Sequence, residues 1–437
     1  MKRANTQPQP AKPAQSTIVQ IEKPIYGGAF LARVDGKATF VPLTLPGEQV
    51  RVRIVEDKRG YATAEPEEII AASSQRVTPA CSHFGICGGC SYQHTNYETQ
   101  LAFKQAILRE TFERGGVQAP DTIEVLAGNP WQYRNRIRLA MDGAGRVGYR
   151  ARRLRDVVPI GECPIAAPLL VQAALSAAEI FRDGKTGLRP AEISLFCNAE
   201  ETELLASVFV RDSASRGFEQ IFGEWKQCIP ALIGAELVDE GSPGRASKTI
   251  ARAGEASLTY RAGGIDYRVD HGAFFQVNRW LVDALVDRVT ADRRGQLAWD
   301  LFAGVGLFAR RLANHFEKVV AVESAPMATE ALAYNLEGAT SKIVKTDTLA
   351  FLRARSMKAK PDLIVVDPPR AGLGAEMASL LAAVGASTIV YVSCDPATQA
   401  RDLRVLISSG YALHSVMLAD LFPQTFHLES VVELRRS

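Results

Sequence analysis

Two segments with chemically active side chains follow runs of β-branched residues in the C-terminal part of the sequence. Asp367 opens Asp-Pro-Pro-Arg after PDLIVV, and Cys394 lies in Ser-Cys-Asp-Pro after STIVYV. Prolines fix the backbone and remove donors, so they can hold Asp367 rigidly where its strand ends. Cys394 is a candidate nucleophile, but a free thiol with a pKa of about 8.5 is only a few per cent thiolate at neutral pH. We therefore expect a positive charge beside it, with Arg370 as the candidate.

Glu429 begins the last apolar run, ESVVEL, close to the C-terminus. Within a pocket, such a carboxylate can act as a general base. On an edge strand it would be an ordinary surface charge. The residue and its neighbours alone leave both interpretations open.

A glycine-rich turn follows the apolar run QLAWDLF. Gly304 and Gly306 let the backbone turn tightly and approach a ligand, and Glu323 follows Gly304 by 19 residues at the end of the next strand. An acid at that place can hold ribose hydroxyls, which indicates either a dinucleotide or S-adenosylmethionine; an unrelated tight turn is the alternative. Ala309 stands where the dinucleotide fingerprint has its third glycine.

Asp347 follows the third apolar run of this region, SKIVKTD. In a methyltransferase-like site it would lie near the adenine amino group. A cap on a helix that begins at Thr348 explains the same residue equally well.

Three cysteines stand within ten residues in Cys81-x5-Cys87-Gly-Gly-Cys90, and Cys163 in GECPI can supply a fourth. The two glycines let a loop wrap a metal centre and offer amides to sulfur. Zinc and an iron–sulfur cluster both fit four cysteines, and a disulfide fits less well in a cytosolic protein. Seven cysteines in 437 residues exclude a secreted disulfide scaffold.

The formal net charge of +3 by itself predicts no polyanion binding, but the charge is unevenly distributed. Between Arg134 and Arg155 stand eight arginines and one acid, a local charge of +7. Trp131, Tyr133 and Tyr149 are interleaved with them. Arginines bind phosphates and aromatic rings stack on bases, so this segment is a candidate RNA surface; a solvated strand face is the alternative.

The spacing of apolar runs and turns predicts the elements that position these residues. Short β-branched runs broken by turns predict a small β-barrel or sandwich at residues 16–74, after a flexible tail at 1–15. For residues 75–265, short strand-like runs and helical stretches near 97–115 and 166–183 predict a mixed α+β region. From 266 to 437, strands alternating with helices predict a mostly parallel α/β sheet, in which ligands bind at the carboxyl ends of the strands.

The N-terminal segment MKRANTQPQPAKPAQ lacks the apolar core of a secretory signal. The longest apolar stretch, at 166–181, is interrupted by polar side chains and is therefore not a membrane span. We expect a cytoplasmic protein that acts as a monomer and does not contact membranes.

Several motifs together resemble one family, the uracil-5 RNA methyltransferases of the TrmA/RlmD group. They are DLFAGVGLF, VDPPRAGL, YVSCDPATQARDL, FPQTFHLESVVEL and the upstream HGAFFQVN. The N-terminal GGAFLARVDGKATFVPLTLPGE resembles a TRAM domain, an OB-like RNA-binding barrel. The resemblance implies a Rossmann-like class I methyltransferase sheet, an N-terminal TRAM barrel and a mixed α+β central domain between them.

The resemblance also implies a reaction. Cys394 attacks C6 of a uracil, C5 takes the methyl group of S-adenosylmethionine, and Glu429 removes the C5 proton so that Cys394 is released. By the same likeness, cofactor contacts fall at Gln276, Phe302, Gly304, Gly306, Glu323, Asp347 and Asp367. CGGCSYQH is similar to the RlmD branch, in which four such cysteines hold a [4Fe-4S] cluster; this implies Cys81, Cys87, Cys90 and Cys163 as ligands. Leu307 departs from that branch, which often carries Asn there.

Other functions compete with this one. A 23S rRNA substrate is preferred and a tRNA T-loop uridine is the alternative. A nicotinamide-dependent oxidoreductase is disfavoured by the missing third glycine and by the two proline-containing motifs. A non-catalytic iron–sulfur RNA-binding protein would leave Cys394 and Glu429 without a role. Cys197 and Cys228 are expected to be ordinary buried thiols.

Overall fold

The computed structural model describes residues 16–182, 187–211, 217–241, 247–290, 293–354 and 360–437. The predicted tail at 1–15 therefore lies outside the described residues. Within these ranges the strands form a closed barrel, a seven-stranded sheet, a two-stranded hairpin and an eight-stranded sheet. No helix in the described ranges is long and apolar enough to cross a membrane.

The N-terminal barrel confirms the prediction from short alternating runs. Its strands are β1 (Ser16–Pro24), β2 (Ala29–Val34), β3 (Lys37–Pro42), β4 (Gln49–Asp57) and β5 (Ala62–Ala71). They close in the order β1-β2-β3-β5-β4. Successive side chains of a strand point to opposite faces, so Val19 and Ile21 enter the core with Phe30 while Gln20 and Glu22 face solvent. Helix α1 (Tyr97–Arg114) follows the cysteine-rich loop, and the Asn96 side chain caps its first turn.

The central region forms a sheet with helices on one face. Its strands are β7 (Arg136–Met141), β8 (Val147–Arg150), β9 (Val157–Pro159), β10 (Pro190–Cys197), β11 (Leu204–Val210), β12 (Leu232–Asp239) and β13 (Lys248–Gly254). Helices α2 (Pro168–Arg182) and α3 (Phe218–Cys228) cover the face to which Ile137 and Leu139 point. By alternation, Arg136 and Arg138 of β7 lie on the opposite, open face.

In the C-terminal region, strands alternate with helices as predicted, and the strands form one sheet. Its strands are β6 (Glu124–Leu126), β16 (Gly295–Leu301), β17 (Phe316–Glu323), β18 (Ser341–Lys345), β19 (Leu363–Val366), β20 (Thr388–Ser393), β21 (Tyr411–Ala419) and β22 (Glu429–Arg436). The helices are α4 (Val282–Thr290), α5 (Leu307–Leu312), α6 (Pro326–Asn335), α7 (Thr348–Ala354), α8 (Gly374–Val384) and α9 (Pro396–Ser408). The order is β18-β17-β16-β19-β20-β22-β21-β6.

Strands β18 to β20 in that order are parallel, whereas β22 is antiparallel to both of its neighbours. Because β22 runs the opposite way, its first residue lies at the edge where β20 ends. Strand β6, although it comes from the predicted central region, pairs with β21 in this sheet. The hairpin of β14 (Ser257–Ala262) and β15 (Ile265–Asp270) packs into the same apolar core. The domain boundaries remain a prediction.

Candidate active site

Strand register brings Cys394 and Glu429 together. Ser393, the last residue of β20, pairs with Ser430 of β22. Cys394 follows Ser393 and Glu429 precedes Ser430, so the thiol and the carboxylate occupy the next position along the same ladder. The Ser430 hydroxyl donates to the Gln399 side chain at 2.6 Å and fixes this end of β22 against α9.

Charge around Cys394 sets how readily its thiol ionises. Burial raises the pKa of Cys394 to about 11, and the Glu429 carboxylate adds to the rise. The positive charge of Arg370 and its hydrogen bond to the sulfur oppose the rise. The predicted cation is therefore present, but it does not by itself make Cys394 a thiolate at neutral pH.

Two carboxyl groups share the same site. Burial raises the pKa of Asp367 to about 7. Burial also raises the pKa of Glu429 well above its ordinary value, and the charge of Asp367 raises it further while Arg370 lowers it. Like charges in one pocket disfavour simultaneous ionisation, so the pair can hold a proton near neutral pH. A buried carboxyl with such a pKa suits proton abstraction.

The side chain of Arg370 is held by the segment before Glu429. Its Nη2 donates to His427 Nδ1 at 3.1 Å, and burial together with the Arg370 charge lowers the pKa of His427 to about 4. His427 is thus a neutral acceptor at pH 7. The Thr398 hydroxyl donates to the Arg370 carbonyl at 3.0 Å, which ties the Pro-Pro-Arg turn to the start of α9.

A tyrosine of the barrel reaches this site, which sequence patterns did not indicate. The Tyr26 hydroxyl lies 3.3 Å from the Cys394 carbonyl oxygen and 3.4 Å from the Asp395 carboxylate. Its ring meets Phe426 edge to face, with centroids 6.1 Å apart. The N-terminal barrel therefore contacts the segment that carries the candidate nucleophile.

Helix α1 holds the loop that precedes Glu429. Gln100 and Gln424 exchange hydrogen bonds of 3.0 Å, and Gln424 has a φ of 66°, a conformation that costs free energy unless its surroundings impose it. Lys104 Nζ donates to Asp420 at 2.5 Å and to the Phe422 carbonyl at 2.9 Å, and both Lys104 and Asp420 are fully buried. These contacts fix the loop between β21 and β22.

The glycine-rich turn after β16 forms a crevice at the carboxyl edge of the sheet. Gly304 and Gly306 have φ values of 56° and 91°, and Phe302 has a φ of 63°, unusual for a bulky residue. A Cβ on Gly304 would enter open space, whereas one on Gly306 would lie 2.7 Å from Leu332 of α6. Gly306 therefore permits helix packing, and Gly304 leaves room for a ligand.

Acidic residues line the crevice at the ends of the next two strands. The Glu323 carboxylate accepts from the Gly304 amide at 2.8 Å and from the Ser324 and Ala325 amides at 2.7 Å. Asp347 lies two residues beyond the end of β18, and its Oδ1 accepts from amides in the first turn of α7 at 2.9 and 3.1 Å. Asp347 therefore caps α7, as the alternative interpretation predicted. Only Oδ1 takes part in this cap, and Oδ2 does not.

Two further buried groups belong to this region. Gln276 is buried, and its backbone carbonyl oxygen accepts from the Asn135 side chain at 2.9 Å, which anchors the HGAFFQVN segment to the central sheet. Asp300, which pattern reasoning did not assign a role, is fully buried; its Oδ2 accepts from the Ala309 amide at 2.8 Å and its Oδ1 has no partner among the described residues. Burial raises the pKa of Asp300 to about 8.

Comparison with known proteins places this site in a family. Residues 255–437 match the model described as tRNA (Uracil-5-)-methyltransferase, and residues 15–66 match the TRAM domain. The chain is 32% identical to the 23S rRNA (uracil(1939)-C(5))-methyltransferase RlmD of Shewanella piezotolerans, over 92% of both chains. This chain belongs to the tRNA (uracil-5-)-methyltransferase family. It is an S-adenosylmethionine-dependent RNA uracil-5 methyltransferase with a TRAM barrel.

Other relatives extend over most of the chain. An uncharacterized RNA methyltransferase of Nitratidesulfovibrio vulgaris is 32% identical over 93% of both chains. Among solved structures, the Pyrococcus abyssi tRNA (uracil-54, C5)-methyltransferase in complex with S-adenosyl-L-homocysteine matches with a TM-score of 0.78 and 25% identity. The match covers 96% of this chain and all of that one. The class I methyltransferase fold predicted from the sequence is confirmed.

In this methyltransferase, the four predicted cysteine ligands line one cavity: Cys81, Cys87, Cys90 and Cys163. The loop at 81–90 docks on the central sheet, where the Gly88 amide donates to the Arg150 carbonyl at 3.1 Å. The Gly89 amide donates to Cys87 Sγ at 3.4 Å, as expected of glycines between sulfur ligands. All seven cysteines are free thiols, so the structure contains none of the disulfides considered as an alternative.

The described residues include no group of three or more His, Cys, Asp or Glu side chains that could hold a single metal ion. A structural zinc site places four ligands, here the four cysteine sulfur atoms, around one ion. The described residues therefore contain no preformed site for a single zinc ion. Of the two remaining cysteines, Cys197 is buried as expected, but Cys228 is exposed because it ends α3 on the solvent side.

The arginine-dense segment differs from the free basic surface that the sequence suggested. Four of its arginines form ion pairs with acids that other elements supply: Arg138, Arg150, Arg152 and Arg153. A fifth, Arg146, pairs with Asp142 of the segment itself. Among the aromatic side chains, Tyr133 is fully buried and its hydroxyl donates to the Pro423 carbonyl, so it cannot stack on a base. Phe274, beside Gln276, is instead 63% exposed.

Proposed function

We propose that this methyltransferase modifies C5 of a uridine in 23S rRNA through a covalent bond between Cys394 and C6 of the base. The covalent step is supported by the strand register that puts Cys394 beside Glu429 at one sheet edge. Arg370 donates a hydrogen bond to the Cys394 sulfur. The similarity to the Shewanella piezotolerans RlmD, which extends over 92% of both chains, supports 23S rRNA as the substrate. The tRNA alternative rests on the similar Pyrococcus abyssi structure.

The chemistry follows from the side chains. Pyrimidine C5 is a weak nucleophile, and attack of the Cys394 thiolate on C6 moves the electron pair of the C5–C6 double bond into the enolate formed by C5 and the C4 carbonyl. S-adenosylmethionine, when bound, would supply the methyl group to C5 and leave as S-adenosylhomocysteine, with the electron pair of the broken S–CH3 bond. Glu429 then removes the C5 proton, the electrons re-form the double bond, and the sulfur leaves C6.

Arg370 serves the first step of this sequence by favouring the thiolate. Arg370 is itself exposed, so its position depends on the contact with His427 and on the proline turn. The raised pKa values of Glu429 and Asp367 suit the removal of the C5 proton. A carboxylate with a pKa close to the working pH can both accept a proton and release it again.

The crevice beside β16 fits S-adenosylmethionine. Gly304 leaves open space, Phe302 is held in a strained conformation, and Glu323 lies where ribose hydroxyls would bind. Gln276, Gly306, Asp347 and Asp367 complete the proposed set of contacts. In this set Gly306 acts through helix packing, while the second oxygen of Asp347 would accept from the adenine amino group.

The cavity of Cys81, Cys87, Cys90 and Cys163 fits a [4Fe-4S] cluster. Four thiols that line one cavity suit a cluster whose ligands bind different iron atoms. Burial raises the pKa of Cys90 to about 12, which a cluster offsets because coordination deprotonates the thiol. The cluster would bridge the loop at 81–90 and the segment after β9, a structural role, since methyl transfer requires no electron.

Three experiments test these proposals. Cys394→Ala must abolish methyl transfer while RNA binding persists; retained turnover would exclude Cys394 as the nucleophile. Protein purified anaerobically must be brown with about four irons per chain, and colourless, zinc-loaded protein would exclude the cluster. Mapping of 5-methyluridine in rRNA and tRNA of a deletion strain identifies the substrate: loss from 23S rRNA is expected, and loss from tRNA alone would establish the alternative.

A further inference from the structure

The open face of the central sheet forms a groove that the described reaction does not use. Residues of several neighbouring strands line it, among them Arg136 of β7, Phe196 of β10, Ser207 of β11, Glu236 of β12 and Thr249 of β13. We call it the sheet-face groove. Its floor is polar and ordered, since the Glu236 carboxylate accepts from the Ser207 hydroxyl at 2.8 Å and from the Thr249 hydroxyl at 3.1 Å.

Arg136 is an uncompensated charge in this groove. It pairs in register with Phe196, and its guanidinium carbon lies 4.2 Å from the centre of that ring. Its Nε is buried without a hydrogen-bond partner. Burial lowers the pKa of Arg136 to about 10, and no carboxylate among the described residues raises it. A desolvated cation without a counter-ion costs free energy that binding of an anion would recover.

Arg138, two residues along the same strand face, provides the contrast. Its guanidinium carbon lies 4.1 Å from the centre of the Phe209 ring, so the stacking is the same. However, Arg138 donates to Glu192 at 2.6 Å and to Glu240 at 3.2 Å. Two neighbouring arginines with equal stacking therefore differ in whether the protein already supplies their anions.

The groove adjoins the segment that carries Gln276, since Val277 is among its lining residues. Asn135, next to Arg136, donates to the Gln276 carbonyl at 2.9 Å through its side chain and to the Val277 carbonyl at 3.0 Å through its amide. Gly272 and Met327, which follows Glu323 by four residues, also line the groove. The groove therefore borders two of the segments that carry proposed cofactor contacts.

We propose that the sheet-face groove binds the RNA strand next to the target uridine, with a phosphodiester group on Arg136. The inference rests on the proposed function and adds a subsite to it. Guanidinium groups bind phosphate with two parallel hydrogen bonds, and the Phe196 ring beneath fixes the plane of the Arg136 guanidinium. The open sheet face beside it has room for the nucleotide.

The test compares Arg136→Gln with Arg138→Gln, a matched loss of one positive charge from the same strand face. The affinity of the holoprotein for a labelled 23S rRNA fragment is measured by fluorescence anisotropy over a series of salt concentrations. One lost phosphate contact lowers the slope of log affinity against log salt by about 0.7 to 0.9, which is roughly a sixfold loss at about 0.1 M salt. Arg136→Gln must show this change, and Arg138→Gln must keep the wild-type slope.

The proposed subsite would be refuted if Arg136→Gln and wild type had the same slope of log affinity against log salt. It would also be refuted if Arg136→Gln and Arg138→Gln lost RNA affinity equally. Arg136→Lys keeps the charge and must keep the slope, so a loss there would mean that the mutation acts through folding. Affinity for S-adenosyl-L-homocysteine must be unchanged in Arg136→Gln; a fall with an unchanged salt slope would assign Arg136 to the cofactor and refute the inference. Wild-type protein that methylates neither 23S rRNA nor tRNA would instead contradict the proposed function.

Discussion

Replacement of Arg370 tests how the active site prepares its thiol. Arg370 lowers the pKa of Cys394 by its charge and by a hydrogen bond to sulfur, against burial and Glu429, which raise it to about 11. Arg370→Gln removes the favourable charge, so the pKa of Cys394 must rise further. At a fixed pH below that pKa, the thiolate fraction and the rate of alkylation must both fall.

The size of the effect follows from the hydrogen bond. A bond to a charged partner contributes about 1.5 to 3 kcal/mol, and the half-exposed position of Cys394 favours the lower end. At about 1.4 kcal/mol per pKa unit, this is a rise of roughly one unit. Alkylation of Cys394 at pH 8 is therefore expected to slow about tenfold, because each unit of pKa lowers the thiolate fraction by a factor of about ten.

The assay is iodoacetamide labelling of the RNA-free protein, followed at the peptide that contains Cys394 by mass spectrometry across a pH series. Arg404→Gln is the control, because Arg404 is an exposed arginine of α9 that makes no hydrogen bond or ion pair with the described active-site residues. A labelling rate in Arg370→Gln within twofold of the Arg404→Gln rate would refute the proposed role of Arg370.

Three further variants have defined outcomes. Glu429→Gln must accumulate a covalent, already methylated RNA adduct on denaturing gels, since the C5 proton stays in place; free product at the normal rate would exclude Glu429 as the base. Lys104→Met leaves the buried Asp420 carboxylate unpaired and must lower the free energy of unfolding by about 3 to 5 kcal/mol in urea titrations. A loss below about 1 kcal/mol would mean that the pair is hydrated in solution. In the folded protein the pKa of Asp300 is raised to about 8, above its unfolded value, so wild-type stability falls between about pH 4 and 8 by up to about 1.4 kcal/mol per unit. Asp300→Asn must remove this decline in unfolding titrations at pH 5 and 8, and parallel declines in both proteins would contradict the raised pKa.

The residues of the reaction were predictable from the sequence because strand ends are visible in it. Asp367 and Cys394 each follow a short apolar run, and parallel strands present their carboxyl ends at one edge. Glu429 was harder to place, since only the antiparallel direction of β22 puts the start of a strand at that edge. The family motifs supplied this information where periodicity could not.

Partners from distant parts of the chain were not predictable. Arg152 pairs with Glu65 of the barrel, and Arg138 reaches Glu240 from 102 residues away, so other elements neutralise part of the charge of this basic stretch. Tyr26 meets the carbonyl of Cys394 across 368 residues. Alternation along a strand shows which residues share a face, but what covers that face depends on packing between sheets.

The central claim is that sulfur of Cys394 bonds to C6 of the substrate uridine. The most direct measurement uses substrate RNA that contains 5-fluorouridine at the target position, incubated with the protein and S-adenosylmethionine. Fluorine cannot be removed as a proton, so elimination stops and the adduct persists. Mass spectrometry after digestion must find the Cys394 peptide joined to a methylated fluorouridine nucleotide. Methylation of normal RNA at full rate, with no such joined peptide from fluorinated RNA, would contradict the account.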